Sequence, residues 1–147
     1  MTVRRQLVPD VVSDQRLVTL KKSATARDAA VLMDKKEVSS VLVVKPDGRL
    51  RGIFTVRDVA RRIVGNHLDP DRAKMKDVMT RDVTCVRPDE TPQGALRIMQ
   101  DGHFRHLPIT KGGKPNGKVL GVVSRRDFFP EEEALLKFEE HLWEEIR

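Results

Sequence analysis

The chain has 147 residues, of which 39% are hydrophobic and 34% charged, and its formal net charge is +6. This length suits one domain around one core, and the longest apolar run, residues 41–44, is far shorter than a membrane span. No apolar segment follows Arg4 and Arg5, so we expect no signal peptide, and the single cysteine, Cys85, cannot form an internal disulfide. These features favour a cytoplasmic protein without a membrane segment.

The first predicted elements are a short strand and a helix. Residues 17–20, Leu-Val-Thr-Leu, predict the strand. Ser23 and Thr25 are both residue types that cap helices, and the segment after them favours a helix that runs to about Lys36. The sequence leaves open which of the two residues is the N-cap.

A hairpin and a second helix follow. The apolar strands over 41–44 and 50–55 flank Pro46-Asp47-Gly48, a composition that favours a turn. Residues 56–64 then predict a helix that ends at Gly65.

The second half begins with the same two elements. Residues 83–86 predict a strand. Thr91 is the expected N-cap of the next helix, and Pro92 falls at the first helical position, where its missing N–H costs nothing. Gly102 is the residue type most common just after a helix, so we predict that the helix ends there.

A second hairpin and a C-terminal helix complete the chain. Strands over 107–110 and 118–124 flank a turn over 112–117. Pro130 and the three glutamates after it favour a helix start, which predicts a helix over 130–147. The apolar stripe of this helix either packs on its own domain or contacts a second copy or a partner protein. The stripe consists of Leu135, Leu136, Phe138, Leu142, Trp143 and Ile146.

The two halves of the chain are copies of one unit. Three pairs align at an offset of 66 residues: Leu20 with Val86, Thr25 with Thr91, and Met33 with Met99. Residues 52–58 match 121–127 at an offset of 69, because the second hairpin turn is longer. The order β-α-β-β-α in each unit predicts an α+β fold whose units pack sheet to sheet about a pseudo-twofold axis, with two equivalent clefts. The predicted boundaries are a lead-in (1–9), the first unit (10–66), the second unit (67–129, with a linker over 67–76) and the C-terminal helix (130–147).

Both units carry the pattern Gly-h-h-Thr/Ser-x-x-Asp, in which h is an apolar residue. The pattern ends in Thr55 and Asp58 in the first unit and in Ser124 and Asp127 in the second. One interpretation is structural, since a hydroxyl followed three residues later by an acid forms a helix-capping box. The other is a nucleotide site, because a carboxylate suits a ribose diol and nearby arginines such as Arg57 suit a phosphate. The pattern alone leaves both open.

With these motifs the chain resembles a pair of cystathionine-β-synthase (CBS) domains over residues 10–129. The likeness rests on four motifs, each with a counterpart in the first unit: Asp77-Val78-Met79-Thr80, the helix over 91–99, Phe104-Arg105-His106-Leu107-Pro108, and residues 121–127. The resemblance implies a disc-like module that often forms homodimers and regulates another protein. It further implies no obligatory cofactor, but a small-molecule effector such as AMP, ADP, ATP, S-adenosylmethionine or NAD.

Carried over by position, the resemblance assigns residues to each cleft. One cleft is expected to use Ser13, Val18, Val38, Ser39, Ser40, Ser124, Arg126 and Asp127. The pseudo-symmetric cleft is expected to use Thr55, Arg57, Asp58, Thr80, Thr84, Phe104 and the backbone at Arg105 and His106. The side chains of Arg105 and His106 occupy positions where the family often places phosphate-binding residues. We therefore expect them to converge with Arg126, which predicts the stronger phosphate site on the Asp127 side.

The sequence also bears on other possible functions. The net charge fits a nucleic-acid binder, but the arginines lie at the two unit junctions rather than along one helix face, and aromatic residues are only 4%. An enzyme is not expected, because nothing in the sequence places a third group to orient His106 beside Ser124 and Asp127. The histidine spacing, without a cysteine pair, predicts no metal site. A CBS protein that only dimerises, without ligand, is the structural alternative.

Overall fold

Two small β-sheets, one from each half of the chain, form the frame of the computed structural model, which describes residues 4–128, 141–142 and 144–145. The first half contains, in chain order, an irregular helical turn (Leu7–Val11), β1 (Thr19–Leu20), α1 (Ala26–Lys36), β2 (Ser40–Val44), β3 (Leu50–Thr55) and α2 (Val56–Asp58), which continues in wider turns (Val59–Val64). The second half contains α3 (Met75–Val78), α4 (Pro92–Gly102), β4 (His106–Thr110), a 3-10 turn (Lys111–Gly113), β5 (Val119–Ser124) and a second 3-10 turn (Arg125–Asp127).

Strand pairing follows the sequence repeat. In the first sheet β1 lies parallel to β2, with Leu20 opposite Val43, and β2 pairs antiparallel with β3. In the second sheet β4 and β5 pair antiparallel, and Val86 forms a parallel bridge to Ile109. The pairs Leu20–Val43 and Val86–Ile109 are related by the same offset of 66 residues that aligns the sequence. The predicted duplication is therefore confirmed at the level of strand register.

The predicted strand over 83–86 is wrong except at Val86. Of this segment only Val86 is bridged to β4, through two backbone hydrogen bonds of 3.0 Å to Pro108 and Thr110. Val83 and Cys85 instead pack against the apolar cluster that lies between the sheets. The segment therefore serves the sheet interface rather than extending the second sheet.

The helix starts identify which predicted caps act. The Thr25 hydroxyl accepts the backbone N–H of Asp28 at 3.1 Å, so Thr25 rather than Ser23 is the N-cap of α1. Thr91 caps α4 in the same way, and Pro92 occupies the first helical position as predicted.

The predicted end of α4 at Gly102 is confirmed, although the glycine is not the residue just after the helix. Gly102 is still helical, and His103, with φ of +55°, takes the left-handed cap position. Glu37 ends α1 in the same conformation, with φ of +54°. A Cβ at position 102 would collide with the Phe104 ring, so the glycine provides space for that ring rather than a positive φ.

Three apolar clusters hold the fold together, and each fully buried aliphatic side chain contributes about 1.5–3 kcal/mol. One cluster packs α1 against the first sheet and includes Met33 and Phe54, and a second packs α4 against the second sheet and includes Met99. The third joins the two sheets and consists of Leu42, Leu50, Ile53 and Val119, with Val122 packed against it. Because this cluster combines residues of β2, β3 and β5, the predicted sheet-to-sheet packing is confirmed.

The predicted C-terminal helix lies mostly outside the described residues. Residues 141, 142, 144 and 145 are helical, and His141 Nε2 lies 3.5 Å from Glu145 Oε1. Leu142, the one described member of the apolar stripe, is 40% exposed. Within the described part of the chain, no helix is both long enough and apolar enough to cross a membrane.

Candidate functional site

Two clefts lie where β3 and β5 lead into their helical turns. The first, named the Asp58 cleft, has a volume of about 750 Å³, and the second, named the Asp127 cleft, about 290 Å³. The predicted residues that line the Asp58 cleft are Thr55, Arg57, Asp58, Thr80, Thr84, Phe104, Arg105 and His106. Those that line the Asp127 cleft are Val18, Val38, Ser39, Ser40, Ser124, Arg126 and Asp127.

The Thr55–Asp58 pair forms a capping box at the start of α2. Asp58 Oδ2 accepts the backbone N–H of Thr55 at 2.9 Å and its hydroxyl at 3.1 Å. The Asp58 N–H in turn donates to the Thr55 hydroxyl at 3.2 Å. The structural interpretation of the motif is therefore correct for this copy. It does not exclude the ligand role, since a carboxylate has about four lone-pair sites and the box leaves some of them for a ribose diol.

Arg62, one of the cations near the motif that suit a phosphate, instead binds Asp58 and Thr80 of the Asp58 cleft. Its Nε lies 3.4 Å from Asp58 Oδ1, and its terminal nitrogens donate to the Val78 carbonyl at 2.9 Å and to the Thr80 hydroxyl at 3.0 Å. Asp58 is only 15% exposed, so this cation compensates a carboxylate that is largely removed from water. At the corresponding position of the second copy the sequence has Glu131.

The Ser124–Asp127 pair repeats the cap in the second copy. Asp127 Oδ2 accepts the Ser124 backbone N–H at 2.7 Å and its hydroxyl at 3.1 Å. Both side chains lie at the edge of the smaller cleft, and Asp127 is exposed where Asp58 is not. The two copies therefore present the same motif in different electrostatic surroundings.

Gln15 also lines the Asp127 cleft, although it was not among the residues predicted from the sequence. Its carboxamide donates to the Val122 carbonyl at 2.9 Å and accepts the Val122 N–H at 2.8 Å. In the first copy the backbone of Thr80 makes the same two bonds to Ile53. The side chain of Gln15 thus stands in for a peptide group.

The placement of Ser13 at the Asp127 cleft was wrong. Ser13 is exposed and lines neither cleft.

The expected convergence of Arg105 with Arg126 is also wrong. Arg105 lines the Asp58 cleft beside Arg57, while Arg126 lines the Asp127 cleft together with Arg16. Among the described residues, each cleft therefore presents two arginines and two carboxylates: Asp58 and Asp82 in the one, Glu37 and Asp127 in the other. Formal charge does not distinguish the two clefts, whereas their volumes differ more than twofold.

Two of the described residues, His106 and Ser39, line both clefts. The Ser39 hydroxyl and His106 Nε2 are hydrogen-bonded at 2.8 Å. Burial lowers the pKa of His106 below its usual value. The charge of Asp127 raises this pKa, that of Arg105 lowers it further, and that of Asp58 raises it. His106 is therefore held neutral mainly by removal from water, between two acids that favour its charged form.

Among the described residues, no three His, Cys, Asp or Glu side chains lie close enough together to hold a metal ion.

A model of the CBS domain family matches residues 8–65 and 75–131 of this chain. Among curated proteins, the chain is 34% identical over 116 residues to an uncharacterized 17.7 kDa protein of Acidianus ambivalens, covering 79% of this chain and 67% of the relative. It is 32% identical over 133 residues to the meiotically up-regulated gene 70 protein of Schizosaccharomyces pombe, covering 84% of this chain. The chain spans only 18% of that longer relative.

Solved structures share the fold. An uncharacterized conserved protein of Pyrococcus horikoshii matches with a TM-score of 0.75 and 27% identity, covering 90% of this chain and 95% of that one. A CBS domain protein of Pyrobaculum aerophilum complexed with AMP matches with a TM-score of 0.71 and 25% identity, covering 87% of this chain and 95% of that one.

Proposed function

Because this chain belongs to the CBS domain family, we propose that it is a regulatory module that binds an adenine nucleotide in the Asp58 cleft. One observation carries the proposal: a cleft of about 750 Å³ brings an acid, two arginines and an aromatic ring together. This volume lies within the range of about 300–1,000 Å³ that is usual for small-molecule sites. The similar P. aerophilum protein is complexed with AMP, which supports an adenine nucleotide as the ligand.

Each part of a nucleotide has a matching group in this cleft. Asp58, anchored by Thr55 and Arg62, accepts the two ribose hydroxyls. Arg57 and Arg105 supply planar donor groups for the phosphate. The half-buried Phe104 ring offers a face for the adenine, whereas the corresponding position of the other cleft holds Val38.

We propose a weaker or smaller ligand for the Asp127 cleft. Its volume of about 290 Å³ falls just below the usual range for small-molecule sites, although its arginines and carboxylates match the other cleft in number. This reverses the sequence-based expectation that the Asp127 side would be the stronger phosphate site. The candidate effectors of the module are AMP, ADP, ATP, S-adenosylmethionine and NAD.

A panel of these five ligands tests the proposal by thermal unfolding. A ligand present at 100 times its Kd stabilises a protein by about 2.7 kcal/mol, which for a chain of this size raises the Tm by roughly 8 °C. We expect AMP to raise the Tm, and calorimetric titration of Asp58→Ala to give AMP affinity about 10- to 100-fold weaker, because hydrogen bonds to a charged group are lost.

The matched control for that variant is Asp28→Ala. Asp28 forms the same capping box with Thr25 at the start of α1, but it lies in neither cleft. It should lose stability as Asp58→Ala does and keep its AMP affinity. Absence of a Tm shift with all five ligands would favour the structural alternative, a CBS protein that dimerises without ligand.

We further propose that the module forms a homodimer through the face of α1 and α2. Val31, Val56 and Val64 are 60%, 53% and 69% exposed, and a groove of about 630 Å³ runs between these helices. Light scattering after gel filtration should give a dimer for the wild type and a monomer for Val64→Lys. Monomers on deletion of residues 130–147 alone would instead assign the contact to the C-terminal segment.

We propose that the module acts in the cytoplasm on a separate protein target. The single cysteine supports this location, because a protein without disulfides suits a reducing compartment. Crosslinking in cells, with and without depletion of AMP, should reveal a complex whose abundance changes in the wild type but not in Asp58→Ala.

A further inference from the structure

His106 stands on the wall that separates the two clefts. His106 lines both of them, and so does Ser39, whose hydroxyl is hydrogen-bonded to His106 Nε2 at 2.8 Å. In the part of the chain that the structure describes, these are the two residues that line both clefts. A change in the position or charge of this pair therefore reaches both sites at once.

The backbone beside this pair anchors both Thr/Ser-x-x-Asp motifs. The Ser39 carbonyl accepts the N–H of Val56, directly after Thr55, at 3.0 Å. The Arg105 carbonyl accepts the N–H of Arg125, directly after Ser124, at 2.9 Å. Hydrogen bonds and the chain itself therefore connect the start of α2, through Ser39 and His106, to the 3-10 turn that carries Asp127.

From this geometry we propose that the Ser39–His106 pair couples the two clefts, so that the charge in the Asp127 cleft sets the affinity of the Asp58 cleft for a phosphate-bearing ligand. The inference rests on the proposed function, since it concerns regulation of the same site.

The charges around His106 give the direction of the coupling. Burial disfavours the imidazolium, and so does Arg105, just before β4. Asp127, in the 3-10 turn after β5, and Asp58, in α2, both favour it. A phosphate in the Asp58 cleft adds a negative charge, so it is bound more tightly when the ring can take up a proton. Negative charge in the Asp127 cleft assists that protonation, and its removal opposes it.

A double-mutant cycle with AMP as the probe tests the coupling, measured by calorimetric titration at pH 7. Asp127→Asn removes one charge from the far cleft and should weaken AMP binding at the Asp58 cleft about fivefold, the lower end of usual coupling strengths. In a His106→Gln background the same change should alter the affinity less than about twofold, and in a Ser39→Ala background the effect should shrink in the same sense.

His103→Asn is the matched control, since His103 lines the Asp58 cleft alone and asparagine tolerates its positive φ. The Asp127→Asn effect should persist in full in that background. An effect of equal size with and without His106, or no effect in the parent chain, would overturn the coupling. Failure of AMP to bind the parent chain at all would be a different outcome, because it overturns the proposed function and the coupling with it.

Histidine ring NMR of the unaltered chain provides a second measurement that does not depend on variants of His106. The apparent pKa of the His106 ring should rise when AMP is added, and fall in Asp127→Asn without ligand. A ring whose titration ignores both changes, while AMP binds, contradicts the inference.

Discussion

Replacing Gly52 by alanine tests how closely the two halves of the chain approach each other at the Asp58 cleft. A Cβ at position 52 would lie 2.6 Å from the Thr80 carbonyl oxygen and 2.8 Å from Met79 Sδ. The oxygen is backbone, and it accepts the Ile53 N–H at 3.0 Å, while the Thr80 N–H donates back to Ile53 at 2.9 Å. The added methyl group can therefore be accommodated only if this bridge moves.

The expected cost follows from these contacts. Overpacking a tight site costs about 1–3 kcal/mol, and weakening two backbone hydrogen bonds adds about 1 kcal/mol. The sum of about 2–4 kcal/mol corresponds to a fall in Tm of roughly 6–12 °C for a chain of this size. Because Thr80 also lines the Asp58 cleft, AMP binding should weaken in the same variant.

Gly121→Ala is the control at the corresponding position of the second copy. There the nearest atom to the added Cβ is Gln15 Oε1 at 3.1 Å, the end of a side chain that can shift, and the next is Ile109 Cδ1 at 3.6 Å. We expect a loss below about 1 kcal/mol. Both variants would be compared by urea and thermal unfolding, and equal losses at the two glycines would refute this account of the approach.

Three further predictions concern caps, charge and pH. Thr25→Ala should cost about 0.5–2 kcal/mol in urea unfolding, and Ser23→Ala less than about 0.5 kcal/mol, because only Thr25 caps α1; equal costs would contradict the assignment. Arg62→Met should cost about 1–3 kcal/mol and weaken AMP binding in calorimetry, since three partners lose their donor; unchanged affinity would remove Arg62 from the site. Burial lowers the pKa of His106, so the unfolded chain binds more protons than the folded chain in acid. The free energy of unfolding should therefore decrease as the pH drops below about 6.5. A decrease of the same size in His106→Gln would refute this.

The repeat and the strand order could be predicted because they depend on local patterns. The offset of 66 residues that aligns Leu20 with Val86 also relates their partners Val43 and Ile109. Capping at Thr25 and Thr91 requires only a hydroxyl and a free backbone N–H three residues later.

The sequence-based predictions failed at residues whose positions depend on contacts with residues distant in the sequence. Gln15 replaces a peptide group across a sequence distance of 107 residues, and the alignment pointed to Ser13 instead. Arg105 faces the opposite cleft from the one expected, since the sequence does not determine to which side of the shared wall a side chain turns.

Occupancy of the Asp58 cleft by AMP is the central claim, and the crystal structure of the chain grown with saturating AMP tests it most directly. The account predicts AMP in that cleft, with the ribose hydroxyls on Asp58 and the phosphate between Arg57 and Arg105. AMP bound only at the Asp127 cleft, or absent from both clefts at a concentration that saturates other adenine-nucleotide sites, would contradict it.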